Sequence, residues 1–283
     1  MKTLLSVLLL LVAASLLPAQ SKSVREEEQL RGPVSTIRVE VTRTDGQPVA
    51  SSKASVENLV FDEKGNVLRQ EVYKSDGSLE AKLSWGHVYD DQGRETKTYY
   101  YNAEGALTNT GVSVYDDKGR RIETTQINPN GSINHIRAYF YDKNGNNVRE
   151  AHRNENGSPR NVINRQYDAN GRVTEEIFID SGGALHNRNT FTYDAHGNQT
   201  ESWLFKKDGT VLPWFRRSLK YDERGNVIEA VNYLSDNSVL SRETFSEFDA
   251  HGNWTKTTTS RDVFKEGRSQ TESYLTSRKI TYF

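Results

Sequence analysis

The chain has 283 residues, with 37 Lys and Arg against 38 Asp and Glu, a formal net charge of −1 and no cysteine. Both signs of charge alternate along the chain. This argues against a nucleic-acid-binding protein, because such proteins concentrate Lys and Arg on one face to release phosphate counterions. Without cysteine there are no disulfides, so packing and hydrogen bonds alone must hold the fold. Hydrophobic residues make up only 34%, yet there are 14 Tyr, which indicates sheets with narrow apolar stripes.

The N-terminal segment has the features of a secretory signal peptide. Lys2 precedes an apolar run over 4–17, and Pro18, Ala19 and Gln20 follow it. The run is shorter than the roughly 20 residues that span a bilayer, and a small residue stands where signal peptidase cuts. We expect 1–19 to be a signal peptide, the mature chain to have no transmembrane segment, and the protein to be secreted or periplasmic.

Residues 20–60 are expected to form an N-terminal cap and an opening half-repeat. Ser23 and Glu26 have the spacing of a capping box. They predict a short helix that Gly32 and Pro33 would end. At the other end of the chain, 260–283 is expected to supply closing cap strands.

One motif organises the stretch 61–259. An aromatic residue followed by Asp-x-x-Gly and then Asn or Arg recurs eight times, with successive aromatic residues 26 to 28 positions apart. Such a period is the signature of a tandem repeat. The aromatic residue and glycine of each copy are Phe61 and Gly65, Tyr89 and Gly93, Tyr115 and Gly119, Tyr141 and Gly145, Tyr167 and Gly171, Tyr193 and Gly197, Tyr221 and Gly225, and Phe248 and Gly252.

Each repeat contains a second turn about half-way to the next motif. Its glycines are Gly77, Gly105, Gly131, Gly157, Gly183 and Gly209, with Asn237 in the seventh copy. In a type I hairpin turn Asp or Asn is favoured first, and Gly is favoured where the backbone becomes left-handed. Every repeat is therefore predicted to be a β-hairpin.

The segments between turns read as strands, because they are rich in β-branched and aromatic residues and lack a helical period. A column eight residues after each motif aromatic is charged and should face water: Arg69, Lys97, Glu123, Arg149, Glu175, Glu201, Glu229 and Lys256. The aromatic column should form an internal ladder of neighbouring rings. The sequence thus predicts an all-β fold, in which tandem β-hairpin repeats form one long, curled antiparallel meander sheet of about 16 to 18 strands.

This motif resembles the rearrangement-hotspot (Rhs) or tyrosine-aspartate (YD) repeat family of bacterial proteins, over 61–253. The resemblance implies a curling β-sheet and an extracellular setting. In large members of that family the sheet encloses a toxic C-terminal domain. The expected protein is a short secreted member without that domain, so the resemblance implies architecture and no catalytic residue.

The sequence offers little for catalysis or metal binding. It has no Gly-x-Ser-x-Gly, no cysteine nucleophile and no His-Glu-x-x-His. His196 and His251 fall in turns, and the Asp-rich turns lack the spacing of a calcium loop. We expect no catalytic residue, no metal and no cofactor. Exposed rings could bind a protein or carbohydrate, unless they fill the interior of the sheet; the candidates are Trp85, Tyr99, Tyr100, Tyr101, Trp203, Trp214 and Trp254.

These observations favour an extracytoplasmic, non-enzymatic β-repeat scaffold or binding protein that contacts protein or glycan at the bacterial cell surface. Two alternatives stay open. One is a secreted enzyme acting on envelope polysaccharide. The other is an outer-membrane barrel, which needs alternate apolar residues along its strands; counting back from Phe283, the alternate residues are instead Thr281, Lys279 and Ser277.

Overall fold

The computed structural model describes residues 24–27, 30–45, 54–265 and 268–283. The signal peptide expected over 1–19 lies outside the described residues. The described parts contain one short helix, α1 (Val24–Glu27), and eighteen strands that account for more than half of the 283 residues.

The strands follow one another along the chain and are connected by hairpin turns. Their bounds are β1 Val34–Arg43, β2 Ala54–Phe61, β3 Val67–Lys74, β4 Leu79–Tyr89, β5 Glu95–Tyr101, β6 Leu107–Tyr115, β7 Arg121–Ile127, β8 Ile133–Tyr141, β9 Asn147–Asn154, β10 Pro159–Tyr167, β11 Val173–Ile179, β12 Leu185–Tyr193, β13 Gln199–Lys206, β14 Val211–Tyr221, β15 Val227–Tyr233, β16 Val239–Phe248, β17 Trp254–Lys265 and β18 Arg268–Tyr282.

The eighteen strands close into a barrel, so the predicted open meander is wrong. The chain is all-β and antiparallel, as expected, but β1 pairs with β2 on one side and with β18 on the other. All other pairs join strands adjacent in the chain. Strand twist curls a large sheet, and closure pairs the N–H and C=O groups that an open sheet would leave free at both edges.

The motif turns have the predicted geometry. In the turn 142–146 the N–H of Asp142 donates to the carbonyl of Asn146 (2.9 Å), and the N–H of Gly145 donates to the carbonyl of Asp142 (3.1 Å). The carboxylate of Asp142 accepts the N–H groups of Asn144 and Asn146. Gly145 has φ of +88° and Asn237, which replaces glycine in a second turn, has φ of +66°. These positions favour Gly and Asn because other residues are strained there.

The two ends of the chain build a ninth turn of the same kind. The N–H of Phe283 donates to the carbonyl of Pro33 (2.9 Å), as Asp142 does to Asn146. Gly32 has φ of +77°, like the motif glycines. Val34 lies opposite Tyr282, as Asn147 lies opposite Tyr141. The barrel is therefore a ring of nine hairpins, and β18 with β1 forms the ninth without a covalent connection.

Inner and outer faces differ in burial. In β1, Ile37 and Val39 are buried, whereas Arg38, which lies between them, and Glu40, which follows them, are exposed. The register places the motif aromatics on the buried face, which is the concave side of the barrel. A hydrophobic cluster fills this side where the barrel closes, and Val24 and Leu30 pack against it; its buried members are Val34, Ile37, Val39, Leu59 and Phe61.

Candidate functional site: the charged inner wall

The inner wall is lined with charged side chains rather than with a continuous apolar core. Residues on the side of the motif aromatics include seven arginines and six glutamates in the described strands. The arginines are Arg43, Arg121, Arg137, Arg165, Arg217, Arg261 and Arg278, and the glutamates are Glu57, Glu95, Glu150, Glu176, Glu243 and Glu272. Buried charges are stable only when they are paired or solvated.

The best-connected part of the wall is centred on Glu150, on β9. Its carboxylate accepts hydrogen bonds from His152 Nε2 (2.8 Å) and Arg165 (3.4 Å), and it lies 3.1 Å from Arg137 Nε. Arg165 Nε also donates to Glu176 (2.8 Å). Burial alone would raise the pKa of Glu150, but the hydrogen bond of His152 and the charges of Arg137 and Arg165 hold it below its ordinary value.

A second group links β3, β4, β5 and β7 through His87. The Nε2–H of His87 donates to the carbonyl of Val67 (2.8 Å), and Nδ1 lies 2.5 Å from Glu95 Oε1. A carbonyl only accepts, so Nε2 carries a proton. Burial lowers the pKa of His87, but the contacts with Glu95 and Val67 outweigh it and the pKa is raised. The pKa of Glu95 is lowered, because His87 and Arg121 outweigh its burial. The contacts therefore favour the imidazolium form of His87 and the carboxylate form of Glu95.

The wall is less well paired near β14 and β16. Arg217 and Glu243 approach only to 3.8 Å. Burial raises the pKa of Glu243 and lowers that of Arg217, although each attracts the other. The two partners therefore both shift towards their neutral forms. Here desolvation exceeds the ion-pair attraction, in contrast to the closely bonded Glu150.

The outer face is also charged. The charged column expected from the sequence lies there, opposite residues such as Val114 and Phe140. Arg216 pairs with Glu201 (2.8 Å), and its guanidinium lies 4.9 Å from the ring of Trp203 and 4.5 Å from that of Tyr233. Arg and Lys on a lipid-facing barrel surface cost about 2 to 4 kcal/mol each at the bilayer midplane. Charged side chains on this face alternate with exposed apolar ones such as Val114 and Phe140.

The structure divides the aromatic candidates between the two faces. Trp85 lies opposite Tyr100 on the inner wall, and Trp254 also faces inwards, with the guanidinium of Arg278 3.5 Å from its ring. Tyr99, Tyr101 and Trp203 face outwards. The side chain of Trp214 lies outside the described part of the structure. The seven residues do not form one binding surface.

The motif tyrosines are placed inside, but among the described residues no ring contact joins one motif tyrosine to another. Instead the hydroxyls of five of them donate to backbone carbonyls of the preceding repeat at 2.6 to 2.7 Å, and the hydroxyl of Tyr89 donates to the carboxylate of Asp62. The tyrosines with the bond to a carbonyl are Tyr115, Tyr141, Tyr167, Tyr193 and Tyr221. Several of these rings each have a cationic side chain from the preceding turn over one face. For example, the guanidinium of Arg120 lies 4.7 Å from the ring centroid of Tyr141. The Arg or Asn that ends the motif therefore makes a side-chain contact in the structure. The sequence shows that this residue belongs to the motif, but it does not indicate the contact.

Residues 24–27, 30–45, 54–265 and 268–283 contain no group of three or more His, Asp or Glu side chains arranged to hold a metal ion. Within the same residues, no helix has the length and apolar character needed to cross a membrane.

A comparison with protein families finds no match to this sequence, and neither does a comparison with curated proteins. Among solved structures, a porin-like protein from Bacteroides uniformis ATCC 8492 is similar with a TM-score of 0.45 and 12% identity, over 89% of this chain and 99% of that one. A DUF1329 family protein from Desulfovibrio piger ATCC 29098 has a TM-score of 0.27 and 9% identity, over 92% and 89%. The TcdB2-TccC3-TEV structure has a TM-score of 0.19 and 10% identity, over 84% of this chain and 20% of that one. These scores are too low to support an assignment.

Proposed function

We propose that the protein is a hollow, non-enzymatic β-barrel of the bacterial envelope, whose lumen holds water and small hydrophilic solutes. The observation that carries this proposal is the partial exposure of inner-wall side chains. Leu83 faces inwards, opposite Gln70, yet is 44% exposed, and the side chain of Arg137 is 40% exposed. Side chains in a filled core would be buried. Barrels of 16 to 18 strands are wide enough to leave an aqueous channel.

The chemistry of the wall supports hydrophilic contents. Paired guanidinium and carboxylate groups, such as the partly exposed Arg137 beside Glu150, offer hydrogen bonds to water and to charged or hydroxylated solutes. Apolar molecules would leave these groups unsolvated at a high cost. We therefore favour a compartment or passage for polar solutes over a carrier of lipids.

An outer-membrane pore is a second candidate. It is favoured by outward-facing apolar pairs near the second turns, such as Tyr101 opposite Leu107 and Phe205 opposite Val211. The charged outer column weighs against it, because lipid would have to cover residues such as Lys97 and Arg149. An aqueous barrel should stay monodisperse without detergent and give no conductance in planar bilayers, whereas a pore would need detergent and conduct.

Access to the lumen can be tested with single cysteines, because the natural chain has none. Ser113→Cys places a thiol on the inner wall and Ser84→Cys places one on the outer wall; both serines are half-buried. A small charged methanethiosulfonate should label both variants. A 5-kDa polyethylene glycol maleimide should label the Ser84→Cys protein much faster than the Ser113→Cys protein. Failure of the small reagent to label Ser113→Cys in the folded protein would overturn the hollow-barrel proposal.

A further inference from the structure

The ring of motif turns at one mouth of the barrel has a regular cation site between neighbouring turns. This turn ring consists of 62–66, 90–94, 116–120, 142–146, 168–172, 194–198, 222–226 and 249–253, together with the split ninth turn. In a typical gap the guanidinium of Arg120 lies 4.7 Å from the ring of Tyr141 in the next repeat and 2.7 Å from Asp116 in its own turn. Each such gap therefore presents an aromatic face beside a carboxylate.

Seven of the nine gaps contain a cationic or imidazole side chain. Arg94, Arg120 and Arg172 end their own motifs and cover Tyr115, Tyr141 and Tyr193. Where the motif ends in Asn, another residue takes this place: Lys64 covers Tyr89 at 4.7 Å, and His251 packs on Tyr282 with ring centroids 4.2 Å apart.

The N-terminal segment fills two gaps from outside the repeats. Arg31 donates to the carbonyl of Gly225 (3.4 Å), and its guanidinium lies against Gly252, as that of Arg172 lies against Gly197. Arg25 donates to the carbonyl of Glu63 (3.3 Å) beside the ninth turn. A gap whose motif ends in Asn can thus accept a guanidinium from a separate segment.

The other two gaps are open to a cation: among the described residues they hold no cationic side chain over the ring, only the amide of the motif Asn against the next motif glycine. Asn146 precedes the gap at Tyr167, and Asn198 precedes the gap at Tyr221. Within the described parts of the chain, no Lys or Arg covers either ring. The carboxylates of Asp142 and Asp194 are bonded to the Asn amides at 2.9 and 3.1 Å, with no ion pair to Lys or Arg among those residues.

We propose that these two open gaps bind the guanidinium groups of an arginine-bearing protein segment. Each gap offers an aromatic face, which attracts cations, and a carboxylate, which forms charge-assisted hydrogen bonds with guanidinium. Tyr167 and Tyr221 end β10 and β14. Four strand spacings of about 4.8 Å separate them, roughly 19 Å along the rim, which about six extended residues span at ~3.3 Å each. The preferred ligand has two arginines about six positions apart.

The test uses the full folded protein at pH 8 and a synthetic peptide with two arginines separated by five Gly and Ser residues. Isothermal titration calorimetry should show that the protein binds this peptide at least tenfold more tightly than a peptide in which citrulline replaces one arginine. The second arginine binds at a high effective concentration once the first is bound. Equal binding of the two peptides would overturn the proposal, since citrulline keeps the shape and loses the charge.

Variants locate the site. Asn146→Arg combined with Asn198→Arg fills both gaps with the residue that three other motifs use, so it should fold and should weaken peptide binding at least tenfold. Asn66→Arg is the matched control, because Lys64 already covers that gap, and it should leave binding unchanged. Unchanged affinity of the double variant, with circular dichroism and melting temperature showing an intact fold, would overturn the assignment of these gaps.

Discussion

The side-chain hydroxyl of Tyr141 donates a 2.6 Å hydrogen bond to the backbone carbonyl of Arg121, twenty residues earlier in the chain. Arg121 lies opposite Tyr115 at a shift in the strand register. Shifts of this kind disrupt the regular ladder, so a carbonyl there can accept a bond from elsewhere. The motif tyrosine therefore connects consecutive hairpins at the mouth of the barrel, in addition to the strand pairing that joins them.

Removing this hydroxyl should weaken the barrel measurably. We expect Tyr141→Phe to lower the free energy of unfolding by about 1 to 2 kcal/mol, because a half-buried carbonyl loses its partner. Tyr99→Phe is the control, since Tyr99 faces outwards and its hydroxyl makes no hydrogen bond among the described residues; it should change stability by less than about 0.5 kcal/mol. Urea denaturation followed by circular dichroism compares the two, and equal effects would rule out the role assigned to the tyrosine.

The motif glycine is required for its backbone conformation. Gly145 has φ of +88°, and a Cβ there would meet nothing within 4 Å. Gly145→Val should therefore cost at least ~1 to 2 kcal/mol from strain alone, whereas Lys143→Val at an exposed turn position should be nearly neutral. Because each hairpin contacts its neighbours, hydrogen exchange should increase first around 115–193. Similar destabilisation by both substitutions would contradict the turn assignment.

The repeat and its turns could be predicted because each depends on a few adjacent residues. Asp142 and Gly145 have the types that a tight turn needs, and both take the predicted conformations. Closure could not be predicted in the same way. The ninth turn joins Phe283 to Gly32 and Pro33, lacks the motif Asp, and is split between the two ends of the chain.

The residues of the candidate site were harder to predict from the sequence than the turns were. Tyr99, Tyr100 and Tyr101 are consecutive in one strand, so alternation alone requires Tyr100 to face away from the other two. No sequence motif marks the charged residues of the inner wall. Glu150 and Arg165 are fifteen positions apart and meet only because the register of β9 and β10 brings them together.

Glu150 and Glu243 should respond oppositely to neutralisation. The pKa of Glu150 is lowered, so its ionised form stabilises the fold, and Glu150→Gln should cost about 1 to 3 kcal/mol at pH 7. The pKa of Glu243 is raised by burial, so its ionised form opposes folding at that pH. Glu243→Gln should then be neutral or stabilising. Thermal melts at pH 7 check both, and a larger loss for Glu243→Gln than for Glu150→Gln would refute the account of the wall.

The His87 and Glu95 pair should give stability a maximum in pH. His87 has a raised pKa, so its contribution is complete below its ordinary value of 6.5 and is lost as pH rises through the folded value. Glu95 has a lowered pKa, so its contribution is present above 4.5 and is lost as pH falls through the folded value. Melting temperatures of the natural protein minus those of His87→Gln should be largest between these values. A difference that keeps increasing above pH 8 would contradict the imidazolium assignment.

Closure of the barrel is tested most directly by the distance between β1 and β18. Glu40 on β1 lies opposite Ser277 on β18. Nitroxide labels on Glu40→Cys and Ser277→Cys can be measured by double electron–electron resonance, and the chain has no other cysteine. The closed barrel predicts a distribution centred below about 20 Å, because directly opposite Cβ atoms are about 5 Å apart. An open sheet would separate these strands by up to ~80 Å at about 4.8 Å per strand. A distribution centred above about 40 Å would contradict the closed barrel.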